Sequence, residues 1–146
     1  TWQEGQARTL QLLGDVAASV GIPVLGAVAA GGLVDTFDDV QEHLDLAPVL
    51  ETRGLFALTV NGDSMVDAHI ADGDVVLMEP VVDPQRLRDG TVVSALVAGS
   101  GTTLKHFHRQ GPTVVLEAAN PAYSPIELPA EQVQVQGKLV AVWRQV

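Results

Sequence analysis

Cysteine is absent from this chain of 146 residues, basic residues are few, and no long apolar run occurs. Without cysteine the chain has no disulfide, no thiol nucleophile and no cysteine zinc site. Only 8 Lys and Arg stand against 18 acidic residues, and the resulting formal net charge of −10 disfavours binding to nucleic-acid phosphates or anionic lipid. No apolar stretch approaches the roughly 20 residues that span a bilayer, and the first residues do not resemble a secretion signal. These absences predict a soluble, cytoplasmic protein without a membrane partner.

The composition is nevertheless that of a folded domain. Hydrophobic residues make up 47% of the chain and charged residues only 18%, which excludes a disordered acidic tail. The length suits one domain with an attached segment. We place that segment, a hinge or linker, at residues 1–21 and the domain at residues 22–146. Within the segment a weak helix and an extended arm are equally compatible with the sequence, because three glycines interrupt its apolar face.

Short apolar stretches separated by Gly, Pro, Asp and Asn predict an all-β or mostly β fold from residue 22 onward. The predicted strands lie at residues 55–60, 75–78, 91–97, 102–107, 113–116, 132–136 and 139–143. The strict alternation around Val133 and Val135 has two interpretations. Such a strand either supplies the edge of a dimer or completes the sheet.

Neither the acidic residues nor the histidines predict a metal site. Five acids occur close together without an intervening Lys or Arg: Asp35, Asp38, Asp39, Glu42 and Asp45. They lack the fixed order of a calcium loop, so a solvated loop or helix face is the preferred interpretation. His106 and His108 share a strand face, but no third ligand is evident in the sequence.

Ser64 has the most unusual context among the available nucleophiles, which are the threonines and Ser19, Ser64, Ser94, Ser100 and Ser124. It follows a predicted strand, directly after the turn residues Asn61, Gly62 and Asp63. Gly62 permits a backbone conformation that presents consecutive N–H groups near Ser64, as an oxyanion hole requires. A serine in such a turn is also often a simple turn or cap residue, and composition alone leaves both interpretations open.

A serine nucleophile needs a base, and Lys105 is the better-motivated choice among four histidines and two lysines. A free lysine has a pKa of about 10.4, so Lys105 would need desolvation in an apolar pocket to act as a base near neutrality. The alternative is a lysine on the polar face of an edge strand, where its charge prevents aggregation. A Ser-His-Asp triad is also compatible with the sequence, because its members come from anywhere in a chain.

Residues 60–67 and 70–76 resemble the nucleophile box of the LexA-like self-cleaving proteins. This family of Ser-Lys peptidases includes SOS-response repressors, phage repressors and the UmuD polymerase accessory subunits. Residues 103–107 look like the lysine strand of the family. Residues 26–31, Gly-Ala-Val-Ala-Ala-Gly, resemble the segment at which LexA repressors are cut between Ala and Gly. The later stretches at residues 120–126 and 137–143 are also similar to strands of the family.

The resemblance implies a compact domain of short, twisted antiparallel strands that follows a hinge. It implies that Ser64 is the nucleophile and that Lys105, uncharged, is the general base. It also implies that the backbone N–H groups of Asp63 and Ser64 stabilise the oxyanion. No cofactor and no metal are implied. The scissile bond implied by the family is Ala30–Gly31, within a cleavage segment at about residues 22–34.

The function implied is that of the C-terminal part of an SOS transcriptional repressor, a serine endopeptidase that inactivates repression by cutting itself. Residues 8–13 are similar to the hinge that leaves a winged-helix DNA-binding domain, and we expect that domain to precede Thr1 and to make all contacts with operator DNA. The implied partners are a second copy in a homodimer and the RecA filament on single-stranded DNA, which acts as co-protease.

Three alternatives follow from the same residues. A UmuD-like self-processing polymerase subunit would have a similar domain, but its cleavage site is typically Cys-Gly. A trans-acting Ser-Lys protease of the signal-peptidase kind shares the serine box, although a membrane anchor is missing here. A dimerisation module that has lost cleavage would keep the serine and the lysine as relics.

Overall fold

The structure is a computed structural model that describes residues 21–24, 30–31, 42–51 and 54–146. Several predicted features lie outside the described residues. They are most of the predicted hinge, all of the predicted cleavage segment except residues 22–24 and 30–31, and three of the five clustered acids. The chain divides into two compact units, Thr1–Glu51 and Thr52–Val146. The boundary predicted after residue 21 stays a prediction.

The first unit contains a small antiparallel pair of strands, β1 at Ile22–Val24 and β2 at Glu42–Leu44. Helix α1 follows at Ala47–Glu51. The carboxylate of Asp45 accepts a hydrogen bond from the N–H of Ala47 at 3.0 Å. Asp commonly satisfies a free N–H in the first turn of a helix in this way. One of the clustered acids thus has a structural role.

The second unit is built from seven strands. They are β3 at Phe56–Thr59, β4 at Val75–Pro80, β5 at Thr91–Val97, β6 at Gly101–Gln110, β7 at Thr113–Glu117, β8 at Ile126–Pro129 and β9 at Val133–Trp143. They form one sheet in the order β3-β4-β9-β5-β6-β7-β8, and every neighbouring pair is antiparallel. The predicted mostly β fold is confirmed. No helix among the described residues is long and apolar enough to cross a membrane.

The two strands predicted at the C-terminus form one continuous strand, β9. Gly137, which lies between the two predicted strands, pairs with Pro80 of β4 and with Ser94 of β5. A Cβ at this position would lie 2.7 Å from the ring of Phe56. The glycine therefore makes room for an aromatic ring instead of forming a turn.

Strand β9 is not an edge strand along its whole length. Its first part, from Val133 to Lys138, pairs with β5, and its second part, from Gly137 to Trp143, pairs with β4. Between residues 139 and 143 only one side of the strand pairs with another described strand. Three exposed apolar side chains lie in this part: Val140, Val142 and Trp143.

The buried apolar residues of the second unit form two clusters. One consists of Val93, Ala95, Val97, Phe107, Val114, Leu116 and Val135, between β5, β6, β7 and β9. The other consists of Met65, Ile70, Val76 and Met78, with Leu104 and Leu139 packed against it. This second cluster includes the turn that contains Ser64, so core packing fixes that turn to β4.

Candidate active site

Ser64 lies in the turn that follows β3, within residues 61–69. Gly62, two residues earlier, has φ of +97°, in the left-handed region that favours glycine. Met65, the next residue, is buried and packs in the same cluster as Ile70. Gly62 thus adopts the backbone conformation that the turn requires before Ser64, and buried Met65 packs the turn against the core after it.

Backbone and carboxylate hydrogen bonds tie this turn to the start of β4. The N–H of Gly62 donates to the carboxylate of Asp72 at 2.6 Å. The N–H of Gly73 donates to the carbonyl of Val60, and the N–H of Val60 donates to the carbonyl of Asp74, both at 2.8 Å. The residues flanking Ser64 are therefore held in place from both ends of the turn.

Lys105 lies in β6 with its amine against the hydroxyl of Ser64. The side chain is only 8% exposed. Its Nζ lies 3.0 Å from Ser64 Oγ, 2.7 Å from Thr103 Oγ1 and 3.1 Å from the carbonyl oxygen of Leu104. The fold thus brings together the two residues that the sequence predicted as nucleophile and base. The alternative, a solvent-facing edge lysine, is wrong for this residue.

The three neighbours of the amine are oxygen atoms that can accept its N–H bonds. A charged ammonium donates to all three: Ser64 Oγ, Thr103 Oγ1 and the carbonyl of Leu104. A neutral amine donates to two of them and has a lone pair that can accept the proton of Ser64. Burial lowers the pKa of Lys105 from its usual 10.5, because desolvation disfavours the charged form. Desolvation therefore favours the uncharged amine that a general base requires.

Thr103 is a site residue that sequence reasoning missed. It precedes Lys105 by two positions in the same strand, so the two side chains share a face. That spacing could be read from the sequence. The hydrogen bond to Lys105 could not be predicted from it, because threonine is common in strands for reasons of β propensity alone.

A cleft of about 250 Å³ opens beside Ser64. Its lining is mostly apolar and comes from β3, the serine turn, β4 and the start of β6: Leu58, Thr59, Val60, Asn61, Ser64, Met65, Val76, Thr102, Thr103 and Leu104. An extended peptide with small or apolar side chains is the substrate that such a cleft suits best. Ser64, the predicted nucleophile, and the strand that contains Lys105 both border this cleft.

An ion pair between the exposed side chain of Arg144 and the buried carboxylate of Asp74 lies next to the serine turn. Arg144, just beyond β9, donates from Nε to Oδ1 of Asp74 at 2.7 Å and from its terminal nitrogen to Oδ2 at 2.6 Å. The Asp74 carboxylate, 2% exposed, also accepts from the N–H of Ala71 at 2.8 Å. These hydrogen bonds, that of Arg144 above all, lower the pKa of Asp74 from 3.8 to about 2. The pair fastens the chain's last strand to the site.

We expect Arg144→Gln to lower Tm at pH 7 by about 5 °C, because the buried carboxylate of Asp74 loses its charged partner. Since the pKa of Asp74 is depressed, its stabilising effect is present above pH 3.8 and is lost as pH falls towards about 2. The variant should therefore lose less stability than the parent across that window. Thermal unfolding at several pH values measures both effects.

Arg86→Gln is the matched control, because Arg86 pairs with Asp83 at 3.5 Å on the exposed surface. Its Tm should change by about 1 °C or less, since exposed pairs stabilise little. Equal melting of Arg144→Gln and the control at pH 7 would contradict the assigned role.

The other predicted candidates lie elsewhere. Nδ1 of His106 is 2.9 Å from the carbonyl of Gly90, and Nε2 of His108 is 3.2 Å from the carboxylate of Glu117. Ser94 is buried within the sheet, and its hydroxyl has no partner among the described residues. In the described part of the chain no His, Asp and Glu side chains cluster as three or more metal ligands.

The predicted scissile residues, Ala30 and Gly31, belong to the first unit. Both are exposed and lie in a turn. An exposed turn of small residues is a backbone that a narrow cleft admits without steric clash.

Comparison with known proteins identifies the family. The model of the Peptidase S24-like family matches residues 23–140. The chain is 40% identical to the LexA repressor of Koribacter versatilis over 141 residues, 97% of this chain and 65% of that relative. It is 34% identical to the transcription regulator LexA of Synechocystis sp. over 143 residues, 98% of this chain and 70% of the relative.

A third relative, the LexA repressor of Paramagnetospirillum magneticum, is 41% identical over 127 residues, 86% of this chain and 53% of the relative. The chain thus spans between about half and 70% of the length of these relatives. The family match covers most of the chain and includes both Ser64 and Lys105. The chain belongs to the Peptidase S24-like family.

Proposed function

We propose that the chain carries the self-cleaving serine peptidase of a LexA-type repressor and cuts its own backbone at Ala30–Gly31. The observation that carries this proposal is the 3.0 Å contact between Ser64 Oγ and the buried amine of Lys105. The names of the relatives, LexA repressor and transcription regulator LexA, support the regulatory role.

The proposed reaction has two stages. Lys105 takes the proton of Ser64 as Oγ attacks the carbonyl carbon of Ala30, and the N–H groups of Asp63 and Ser64 donate to the developing oxyanion. Lys105 then gives its proton to the nitrogen of Gly31, and the C–N bond breaks. Water, deprotonated by Lys105, then attacks the acyl carbon of Ala30. The ester bond to Ser64 Oγ breaks, and Lys105 returns the proton to Oγ, which regenerates the hydroxyl and the neutral amine.

Self-cleavage of a repressor requires control, because a repressor that cut itself at once would never accumulate. We propose that the RecA filament on single-stranded DNA stimulates the cut by stabilising the state in which the cleavage segment occupies the cleft. We further propose that the protein acts as a homodimer. The exposed apolar residues Val140, Val142 and Trp143 on the half-paired end of β9 support strand-to-strand association.

Incubation of the purified chain at about pH 10 tests the proposal, because a lysine near its pKa loses its proton without a partner's help. We expect two fragments, residues 1–30 and residues 31–146, identified by intact mass. Ser64→Ala should leave the chain whole. Ser100→Ala, a change in the exposed turn before β6, is the matched control and should cleave like the parent. An uncut parent, or a cut that survives in Ser64→Ala, would sink the proposal.

A further inference from the structure

We propose that Asn120 and Tyr123 are positioning residues that orient the Asp63–Ser64 peptide for catalysis. The inference rests on the proposed function. Both residues lie in the loop between β7 and β8, at residues 118–125, and neither is among the residues that line the cleft.

Three hydrogen bonds join this loop to the serine turn. Nδ2 of Asn120 donates to the carbonyl of Asp63 at 2.9 Å. The hydroxyl of Tyr123 donates to the carboxylate of the same aspartate at 2.5 Å. The N–H of Asp67 donates to the carbonyl of Ala119 at 2.8 Å. The loop thus holds the residue immediately before the nucleophile and the residue three positions after it.

Peptide planarity makes the bond to the Asp63 carbonyl consequential for Ser64. The carbonyl of Asp63 and the N–H of Ser64 belong to one planar, trans peptide unit, so they point in opposite directions. The carbonyl also accepts a longer hydrogen bond, 3.3 Å, from the N–H of Val66 within the turn. When the shorter bond from Asn120 holds the carbonyl towards the 118–125 loop, the N–H of Ser64 is directed away from that loop. The carboxylate of Asp72 holds the N–H of Gly62 and limits rotation one residue earlier. An oxyanion donor needs a fixed direction of this kind.

Hydrogen bonds within the 118–125 loop fix the orientation of Asn120 and the backbone of Tyr123. Oδ1 of Asn120 accepts from the N–H of Ala122 at 3.0 Å, so Nδ2 is the amide atom that faces Asp63. The N–H of Tyr123 donates to the backbone carbonyl of Asn120 at 3.1 Å. These bonds preset both donors before they meet the serine turn.

The hydrogen bond to the Asp63 carboxylate favours the protonated form of the Tyr123 hydroxyl. This bond raises the pKa of Tyr123 above the usual value near 10, because the tyrosinate would face an anion.

The test is the pH dependence of the self-cleavage rate for Tyr123→Phe and Asn120→Ala, with Tm measured alongside. We expect the plateau rate to fall about tenfold in Tyr123→Phe and about a hundredfold in Asn120→Ala, as for loss of an oxyanion donor. The midpoint of each profile should match the parent, because Lys105 is untouched. Combining Tyr123→Phe with Asp63→Asn should cost little more than either change alone, since both act through one hydrogen bond.

Thr91→Val is the matched control, because it removes a 2.7 Å hydroxyl bond to the carbonyl of Arg88 in another turn. It should cleave like the parent. Parent-like plateaus in both variants would overturn the inference, as would rate losses explained by a shifted midpoint. If Asn120→Ala does not fold, Tyr123→Phe decides alone, because it removes one oxygen from a residue that is 44% exposed. A parent that never cleaves overturns the proposed function itself, a result distinct from failure of the positioning role.

Discussion

Lys105→Met is expected to slow self-cleavage by about a hundredfold to ten-thousandfold, the usual contribution of a general base. The same change should raise Tm by a few degrees, which corresponds to roughly 1 kcal/mol in the free energy of unfolding for a domain of this size. Lys105 is 8% exposed, so folding removes water from its amine, and this desolvation costs free energy. Methionine has a similar length and no charge, so its burial does not carry that cost. A group that lowers stability and raises activity is what a functional site often contains. Fragment yield over time and thermal unfolding measure the two effects.

Lys138→Met is the control, because Lys138 is the only other lysine of the chain. It is about half exposed and lies 3.6 Å from Glu79. Its cleavage rate should equal that of the parent, and its Tm should not rise. Cleavage by Lys105→Met within tenfold of the parent would contradict the role of Lys105 as base.

The rate of self-cleavage should rise about tenfold for each pH unit until Lys105 is largely deprotonated, and should then level off. Burial lowers the pKa of Lys105, so the midpoint should lie below 10.5. The same depression means that the unfolded chain holds this proton more tightly than the folded chain. Between the folded-state pKa and 10.5, Lys105 therefore contributes a stability that increases with pH.

Rates measured at constant ionic strength across the alkaline range test this profile. Lys138→Met should reproduce the midpoint, since its amine is far from full burial. A rate that keeps rising through pH 10.5 without levelling would indicate hydroxide attack instead of a titrating lysine. A midpoint at or above 10.5 would mean that burial does not lower the pKa of Lys105.

Residue pattern alone left the roles of Ser64 and Lys105 open, because serines in glycine-containing turns and lysines in strands are common. The resemblance to the LexA-like self-cleaving proteins is what pointed to them as partners. Thr103, Asn120 and Arg144 were not predicted as parts of the site. Each acts through a partner far away in the chain or through a spacing that ordinary strands share. Local patterns carry no information on which loop will lie beside which turn.

The same distinction applies to the fold. Turn residues between apolar stretches predicted the strands of the sheet, since Gly, Pro, Asp and Asn interrupt strands locally. The turn residues did not indicate the role of Gly137, because that role depends on the ring of Phe56, which lies 81 positions earlier in the chain and packs where a Cβ would be. Strand β8 also escaped the residue pattern, because it is short and ends in proline.

By itself, the sequence determined the scarcity of cations, the absence of thiols and the β character, and its resemblance to a known family indicated the serine–lysine pair. These properties depend on residue types and short-range spacing. Only the tertiary structure decided that Lys105 is desolvated, that its amine faces Ser64 at 3.0 Å, and that β7–β8 loop residues hold Asp63. Burial and hydrogen-bond direction depend on what packs around a group. The chain has few basic residues, and the fold gives one of its two lysines a distinct environment by burying it.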